Sequence, residues 1–231
     1  MIKPHDLQIA KQAAGKAAAA LIQEGMIVGL GTGSTAAFFI DSLIDRCRST
    51  GLKIRVVATS EDSAQRARAG GIIVEDPNEI TSIDFTVDGA DEIDKQKRMI
   101  KGGGGALLRE KVIASLSREM IVIVDETKLV ETLGRCPLPL EVIPFAHRAI
   151  FHKIQQLGYQ GKLRLNNDGS LYKTDNANYI IDITFENRQC DPLKDQMILK
   201  NIPGILETGF FLGMAGRVII GYGDGTTKIL A

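Results

Sequence analysis

Short, wholly apolar runs alternate with longer mixed segments along the first half of this chain. The first run, Met26-Ile27-Val28-Gly29-Leu30-Gly31, predicts a buried strand. Before it, a helix is expected over 6–24, opened by Asp6 as a cap. After it come a helix over 36–48, a strand at 53–58, a helix at 61–69 capped by Thr59-Ser60, and a strand at 71–74. Further strands are expected at 83–87 and 120–124, with a helix at 105–117 between them. Strands this short, alternating with helices of this length, belong to a doubly wound, mainly parallel α/β sheet, a Rossmann-like arrangement. Such sheets bind ligands beyond the carboxyl ends of their strands, near a switch point.

The pattern changes at Cys136-Pro137-Leu138-Pro139-Leu140-Glu141-Val142-Ile143-Pro144, where the prolines favour an extended connector over a helix. A helix over 146–157, a strand at 162–165, a turn at Asn166-Asn167-Asp168-Gly169, a strand at 179–184 and a helix at 192–201 follow. They make a smaller α+β unit. Strands at 205–212, 218–221 and 226–230 are expected to rejoin the first sheet. The expected organisation is a Rossmann-like domain over 1–133 plus 207–231, with an α+β domain over 134–206 inserted into it.

Composition narrows the class. The chain has 231 residues, 44% of them apolar and 24% charged, as in an ordinary soluble globule. Its 28 basic and 28 acidic side chains cancel, so the basic excess that a nucleic-acid partner calls for is missing. Cys47, Cys136 and Cys190 show neither a disulfide framework nor metal-site spacing, which suits the reducing cytoplasm. The apolar stretch at 13–22 is Ala-rich and interrupted by Lys16, unlike a signal peptide, and no run reaches the ~20 residues of a membrane span.

The chemistry concentrates in glycine- and carboxylate-rich turns that follow predicted strands. Lys101-Gly102-Gly103-Gly104-Gly105 runs straight into a helix-forming segment carrying Glu110. Glycines let the backbone approach a ligand closely, and the helix start directs N–H groups and positive dipole at an anion. An anion cradle, a cation and a carboxylate base therefore lie within about two helical turns. That suits proton transfer on a phosphorylated or carboxylated small molecule. A loop with no role seldom carries the ordering cost of four adjacent glycines.

Two further turns are less specific. Gly29-Leu30-Gly31-Thr32-Gly33-Ser34-Thr35 can hold a phosphate on backbone N–H groups and hydroxyls. It departs from the dinucleotide fingerprint, whose strict form asks for glycine where Ala36 stands and for an acidic end to the next strand, and no Gly-Lys-Ser/Thr closes it as a P-loop. Its plain alternative is a strand-to-helix turn with Ser34 as cap. Asp88-Gly89-Ala90-Asp91-Glu92, with Asp94 beyond it, places carboxylates at the end of an apolar strand; a solvated acidic turn or a metal site are the alternatives. Lys128, after another strand, is either a ligand cation or a surface lysine. His5, His147 and His152 are too scattered for a metal cluster or a catalytic dyad.

Taken together and in order, these segments resemble the type A ribose-5-phosphate isomerases. The resemblance rests on Gly31-Thr32-Gly33-Ser34-Thr35, Val87-Asp88-Gly89-Ala90-Asp91-Glu92-Ile93, Lys101-Gly102-Gly103-Gly104 through Arg109-Glu110-Lys111, Pro137 to Pro144, and Ile202-Pro203-Gly204. It spans nearly the whole chain. It implies aldose–ketose interconversion of D-ribose 5-phosphate and D-ribulose 5-phosphate through an enediolate, in the non-oxidative pentose phosphate pathway. It also implies no metal or organic cofactor, and a homodimer or homotetramer. By match to the family's motifs, Glu110 is the catalytic base, and Asp88, Asp91 and Lys101 complete the catalytic set. Thr32, Gly33, Ser34, Thr35, Asp88, Gly89, Ala90, Asp91, Lys101, Gly102, Gly103, Gly104 and Lys128 match substrate-binding segments, and Lys11 a lysine near the sugar phosphate. One position departs: the family often has glycine where Ala177 stands in Thr174-Asp175-Asn176-Ala177-Asn178.

Other readings remain at this point. A sugar-phosphate deaminase is expected to use a histidine near these motifs, and a CoA transferase a glutamate nucleophile in its own setting. A non-catalytic sugar-phosphate sensor is expected to carry a DNA-binding helix-turn-helix ahead of the sheet. Phe210-Phe211 is an apolar pair available for subunit contacts.

Overall fold

The computed structural model describes residues 3–231. The chain opens with α1 (Pro4–Ala19), β1 (Ile27–Leu30), α2 (Ser34–Thr50), β2 (Arg55–Ala58), α3 (Glu61–Ala69), β3 (Ile73–Val74) and β4 (Ile83–Asp88). Two short strands, β5 (Glu92–Ile93) and β6 (Met99–Ile100), precede α4 (Leu107–Ser115) and β7 (Ser117–Asp125). Then come β8 (Leu138–Val142), α5 (His147–Gln156), β9 (Gln160–Leu163), β10 (Tyr179–Thr184) and α6 (Pro192–Lys200). The chain ends in β11 (Ile205–Thr208), β12 (Phe210–Phe211), β13 (Ala215–Gly221) and β14 (Thr227–Leu230).

These elements form two units. The first holds the residues up to Ala90 together with Arg109–Leu129 and Met214–Ala231. Its sheet has the order β14-β13-β7-β4-β1-β2-β3, parallel throughout except for the antiparallel edge strand β14. The direction of winding reverses between the neighbours β1 and β4, so the switch point lies at their carboxyl ends. A large core cluster gathers Phe39, Leu43, Val56, Val87 and Ile123 with residues of α1 and α2, and a smaller one gathers Val57, Ile83 and Ile113. The alanines of α1 serve close approach rather than membrane insertion. A Cβ on Gly15 would lie 2.7 Å from Phe39 N, and one on Gly221 of β13 would lie 1.9 Å from the Ala10 carbonyl oxygen.

The second unit holds Asp91–Leu108 and Val130–Gly213. A four-stranded antiparallel sheet, β11-β8-β10-β9, and a three-stranded one, β12-β6-β5, make its framework. Its core includes Leu138, Leu140, Val142, Ile154, Ile181, Ile183, Leu199 and Phe210.

Several expectations change. The first helix starts at Pro4 and has no side-chain cap, so Asp6 lies inside its first turn rather than capping it. The proline-rich segment is a central strand, β8. Pro139 fits because its carbonyl accepts from Gly209 N at 2.7 Å, just past the last residue of β11, so its missing N–H faces the side where the ladder ends. The expected 205–212 strand is two strands in different sheets, and only β13 and β14 join the large sheet. Segments 91–108 and 207–213 group with the second unit, because β5, β6 and β12 pair with one another. Phe210 and Phe211 are fully buried and offer no subunit contact, whereas Phe145 is 82% exposed. Among the described residues no helix is long and apolar enough to cross a membrane.

Ala177, the position that departs from the family pattern, has φ of 60° in an exposed turn closed by Ala177 N donating to Thr174 O at 2.9 Å. A left-handed backbone costs a residue with a Cβ about 1–2 kcal/mol, part of which glycine gives back as unfolded-chain entropy. Ala177→Gly is therefore expected to stabilise the protein by about 0.5–1 kcal/mol, read as a shift in the denaturant midpoint at unchanged m-value.

Candidate active site

In the first unit, the switch point is built from the ends of β1, β2 and β4. Asp88 is the last residue of β4 and is fully buried. Its Oδ1 accepts from the amides of Thr32 at 3.1 Å and Gly89 at 2.7 Å. It fits there only because Gly31 has no side chain: a Cβ would lie 2.1 Å from Asp88 Oδ1 and 2.6 Å from Asp88 Cα. The Thr32 hydroxyl meets those of Thr59 at 2.7 Å and Ser60 at 2.9 Å, and Thr59 donates to Leu30 O. Ser60 caps α3 as expected, accepting from Ser63 N, and the hydroxyl cluster also braces the turn from the neighbouring strand end, a role that the sequence does not reveal.

The helix after the turn, α2, is capped by Gly33 rather than Ser34. Gly33 has φ of 100°, open to glycine at little cost, and supplies no side chain to satisfy the first amides. Gly33 and Ser34 are exposed and Thr35 is nearly buried. Lys11 of α1 reaches the same corner, its Nζ donating to Ser34 Oγ at 3.0 Å. A 17-residue helix start without a side-chain cap, a hydroxyl and an ammonium group form an anion-binding corner. Gly89 and Ala90 follow Asp88, half-buried, and Lys128 ends the short 3-10 turn after β7, the strand beside β4. Glu110 lies in the first turn of α4 and is 3% exposed.

In the second unit, Asp91 and the glycine loop are tied together. Asp91 N donates to Ile100 O at 2.9 Å, and Asp91 Oδ2 accepts from Gly103 N at 2.8 Å. Lys101, 3% exposed, follows β6; its amide donates to Gly209 O at 2.8 Å and its ammonium lies 5.4 Å from the Phe211 ring centre, a cation–π distance. Gly103 and Gly104 are exposed, while Gly102 is buried.

The acidic run resolves into different duties. Glu92, 4% exposed, accepts from the amides of Gly134 at 2.7 Å and Cys136 at 2.5 Å, so it anchors the 134–136 segment. Asp94 is paired with Arg98 at 2.6 Å. Asp88 and Asp91 are the carboxylates left at the turns themselves.

The comparisons with known proteins agree with these motifs. Residues 55–225 match the family model described as ribose 5-phosphate isomerase A (phosphoriboisomerase A). A ribose-5-phosphate isomerase A of Protochlamydia amoebophila is 54% identical over 96% of this chain and 95% of its own length. Ribose 5-phosphate isomerase from Plasmodium falciparum superposes with a TM-score of 0.90 at 36% identity, over 98% of both chains. A D-ribose-5-phosphate isomerase solved in complex with phospho-erythronic acid superposes with a TM-score of 0.89 at 39% identity, over 95% of this chain and 96% of that one. A match of this extent, on a chain that also carries the motif set, is membership: this protein belongs to the ribose 5-phosphate isomerase A family.

Proposed function

We propose a division of labour for the reaction this chain catalyses as a family member, the interconversion of D-ribose 5-phosphate and D-ribulose 5-phosphate. Glu110 is the base. In the open-chain aldose its carboxylate takes the proton from C2; the C–H electron pair forms the C1–C2 double bond while the C1 carbonyl π pair moves onto O1, giving an enediolate. The O2 hydroxyl proton then passes to O1, the C2–O2 double bond forms, and the enediolate pair takes the same proton back at C1 to give the ketose. Lys101 and the glycine-loop amides oppose the negative charge that develops on the sugar oxygens. Asp88 and Asp91 handle hydroxyl protons and ring opening. The phosphate binds at the α2 start with Gly33, Ser34, Thr35 and Lys11, and Lys128 adds a cation; binding energy so far from the reacting carbons positions them.

The observation that supports this reading most is Glu110 itself, a carboxylate 3% exposed in the first turn of the helix that the glycine loop opens. A carboxylate withdrawn from bulk water and fixed in a helix can be presented to one C–H bond of a bound substrate, which general-base catalysis requires. The phospho-erythronic acid bound by the related isomerase carries a phosphate and a carboxylate, which agrees with a site that takes a phosphorylated sugar derivative. The sensor, deaminase and CoA transferase readings lose their ground with the family established. Cytoplasmic location and assembly as a homodimer or homotetramer are part of the proposal.

The test is isomerisation of ribose 5-phosphate by the purified protein in excess EDTA. Turnover unchanged by the chelator is expected, since every proposed role is filled by a side chain or an amide. A protein that binds the sugar phosphate without converting it, or that stops when metal is removed, overturns the proposal.

A further inference from the structure

The glycine loop is held from behind by side chains that the reaction itself does not call for. Arg164 Nη1 donates to Gly102 O at 3.0 Å and Gly103 O at 3.1 Å. Its other face forks onto Asp182, Nε to Oδ2 at 2.9 Å and Nη2 to Oδ1 at 2.5 Å, a bidentate pair that fixes the guanidinium plane. Tyr172 OH donates to Gly104 O at 3.1 Å, and the Arg164 guanidinium lies 5.6 Å from the Tyr172 ring centre. Two side chains thus capture three successive carbonyls of the most flexible sequence in the chain. Burial pushes the Tyr172 phenol up, against the lowering effect of Arg164, so it keeps its proton for donation at neutral pH.

A trans peptide sets its N–H antiparallel to its C=O, so fixing a carbonyl aims an amide. The 102–103 peptide is held at both ends, its oxygen on Arg164 and its N–H on Asp91. The 104–105 peptide is also held at both ends, its oxygen on Tyr172 and its N–H on Gly102 O at 2.9 Å. The 103–104 peptide between them is held at its oxygen by Arg164, which turns the Gly104 N–H away from the guanidinium at the exposed part of the loop.

We propose that Arg164, braced by Asp182 and seconded by Tyr172, is the positioning residue that aims the Gly104 amide at the oxyanion of the enediolate. The proposal rests on the loop being part of the substrate site, as argued above. Asp182 braces the clamp from the middle of β10, and Glu141 of β8 steadies the segment after Tyr172: its Oε1 accepts from Thr174 Oγ1 and Asn178 Nδ2, both at 2.9 Å. A loop of four glycines without such a clamp spreads over many backbone states, and aligning it in the transition state then costs rate.

The experiment compares Arg164→Met, Arg164→Lys and Tyr172→Phe in kcat, KM, and inhibition by two ligands. One is a phosphorylated four-carbon aldonate, whose carboxylate imitates the enediolate; the other is inorganic phosphate, which reports only the anion corner. Loss of a single oxyanion donor typically costs about 10²–10³ in kcat, so loss of its aim in Arg164→Met is expected to cost about 10–100-fold. KM and phosphate inhibition should change by less than about threefold, and aldonate inhibition should weaken in step with kcat. Arg164→Lys should recover part of the loss. Tyr172→Phe removes one donor with the ring kept and should lose about 3–10-fold in kcat, which covers the case of an Arg164→Met protein that fails to fold. Wild-type kcat in folded Tyr172→Phe and Arg164→Met overturns the proposal, as does equal weakening of aldonate and phosphate with no recovery by lysine. Glu110→Gln run alongside separates the two levels of argument: if it is inert while the clamp variants are fully active, only the clamp fails; if it is active, the assignment of the site fails first.

Discussion

Glu110→Gln should lower turnover of ribose 5-phosphate by at least about 10³-fold, toward the upper part of the range for a lost general base. Glutamine keeps the length and shape of the side chain, so packing in the first turn of α4 is retained and the melting temperature should move by only a few degrees. What disappears is the capacity to accept a proton. The loss should fall on kcat with KM little changed, because the sugar phosphate is held mainly by groups that the substitution leaves in place. Wash-out of deuterium from C2 of labelled substrate into water should stop together with isomerisation. A Glu110→Gln protein retaining more than a tenth of wild-type turnover would show that another group moves the proton.

Gly31→Ala should be the most damaging small substitution at the switch point. The new methyl would sit 2.1 Å from Asp88 Oδ1 and 2.2 Å from its Cγ, far inside van der Waals contact. It would also lie 2.6 Å from Asp88 Cα, so a change of rotamer cannot relieve the clash. Either β1 and β4 separate locally or Asp88 leaves the amides of Thr32 and Gly89. Overpacking of this kind and the lost carboxylate–amide bonds together predict about 2–4 kcal/mol of destabilisation and a loss of at least about tenfold in kcat/KM. Gly89→Ala, at the residue next to Asp88, provides the contrast. Its added Cβ meets nothing closer than 3.7 Å, so stability measured by denaturant should change by less than about 0.5 kcal/mol.

The sequence made the sheet and the site legible to different degrees. Parallel strands buried on both faces, such as the run from Met120 to Val124, write themselves as continuous apolar blocks. Turns such as that from Gly31 to Thr35 carry their function in the residues themselves. β5 and β6 are invisible in the sequence, since a two-residue strand has no periodicity: β5 is defined only by β6, and β6 in turn by β12 more than a hundred residues later. Pro139 misled for a related reason: whether a proline fits a strand depends on where the neighbouring strand stops. The first helix was placed but its start was not, because Pro4 at the first turn competed with the cap signal of Asp6. Arg164 and Tyr172 give no sign of importance in the sequence, as each acts on main-chain atoms brought near only by the fold. Residues that face a ligand can be read from motifs; residues that hold those motifs still cannot.

The close approach of Gly221 to Ala10 has a consequence for biosynthesis. Helix α1 lies against α2 and β7 and also against β13, so one of its packing partners is translated long after it. Roughly 200 residues separate the two, about 10–40 s of translation at common rates. Once β7 is made, and for the roughly 90 residues (about 5–18 s) before β13 follows, a nascent chain has β7 as the open margin of its sheet, with the Met120 to Val124 run unpaired on one side. Premature release before β13 would leave an adhesive edge rather than a smaller working enzyme, so quality control of this protein has to operate on chains that already contain every motif of the site.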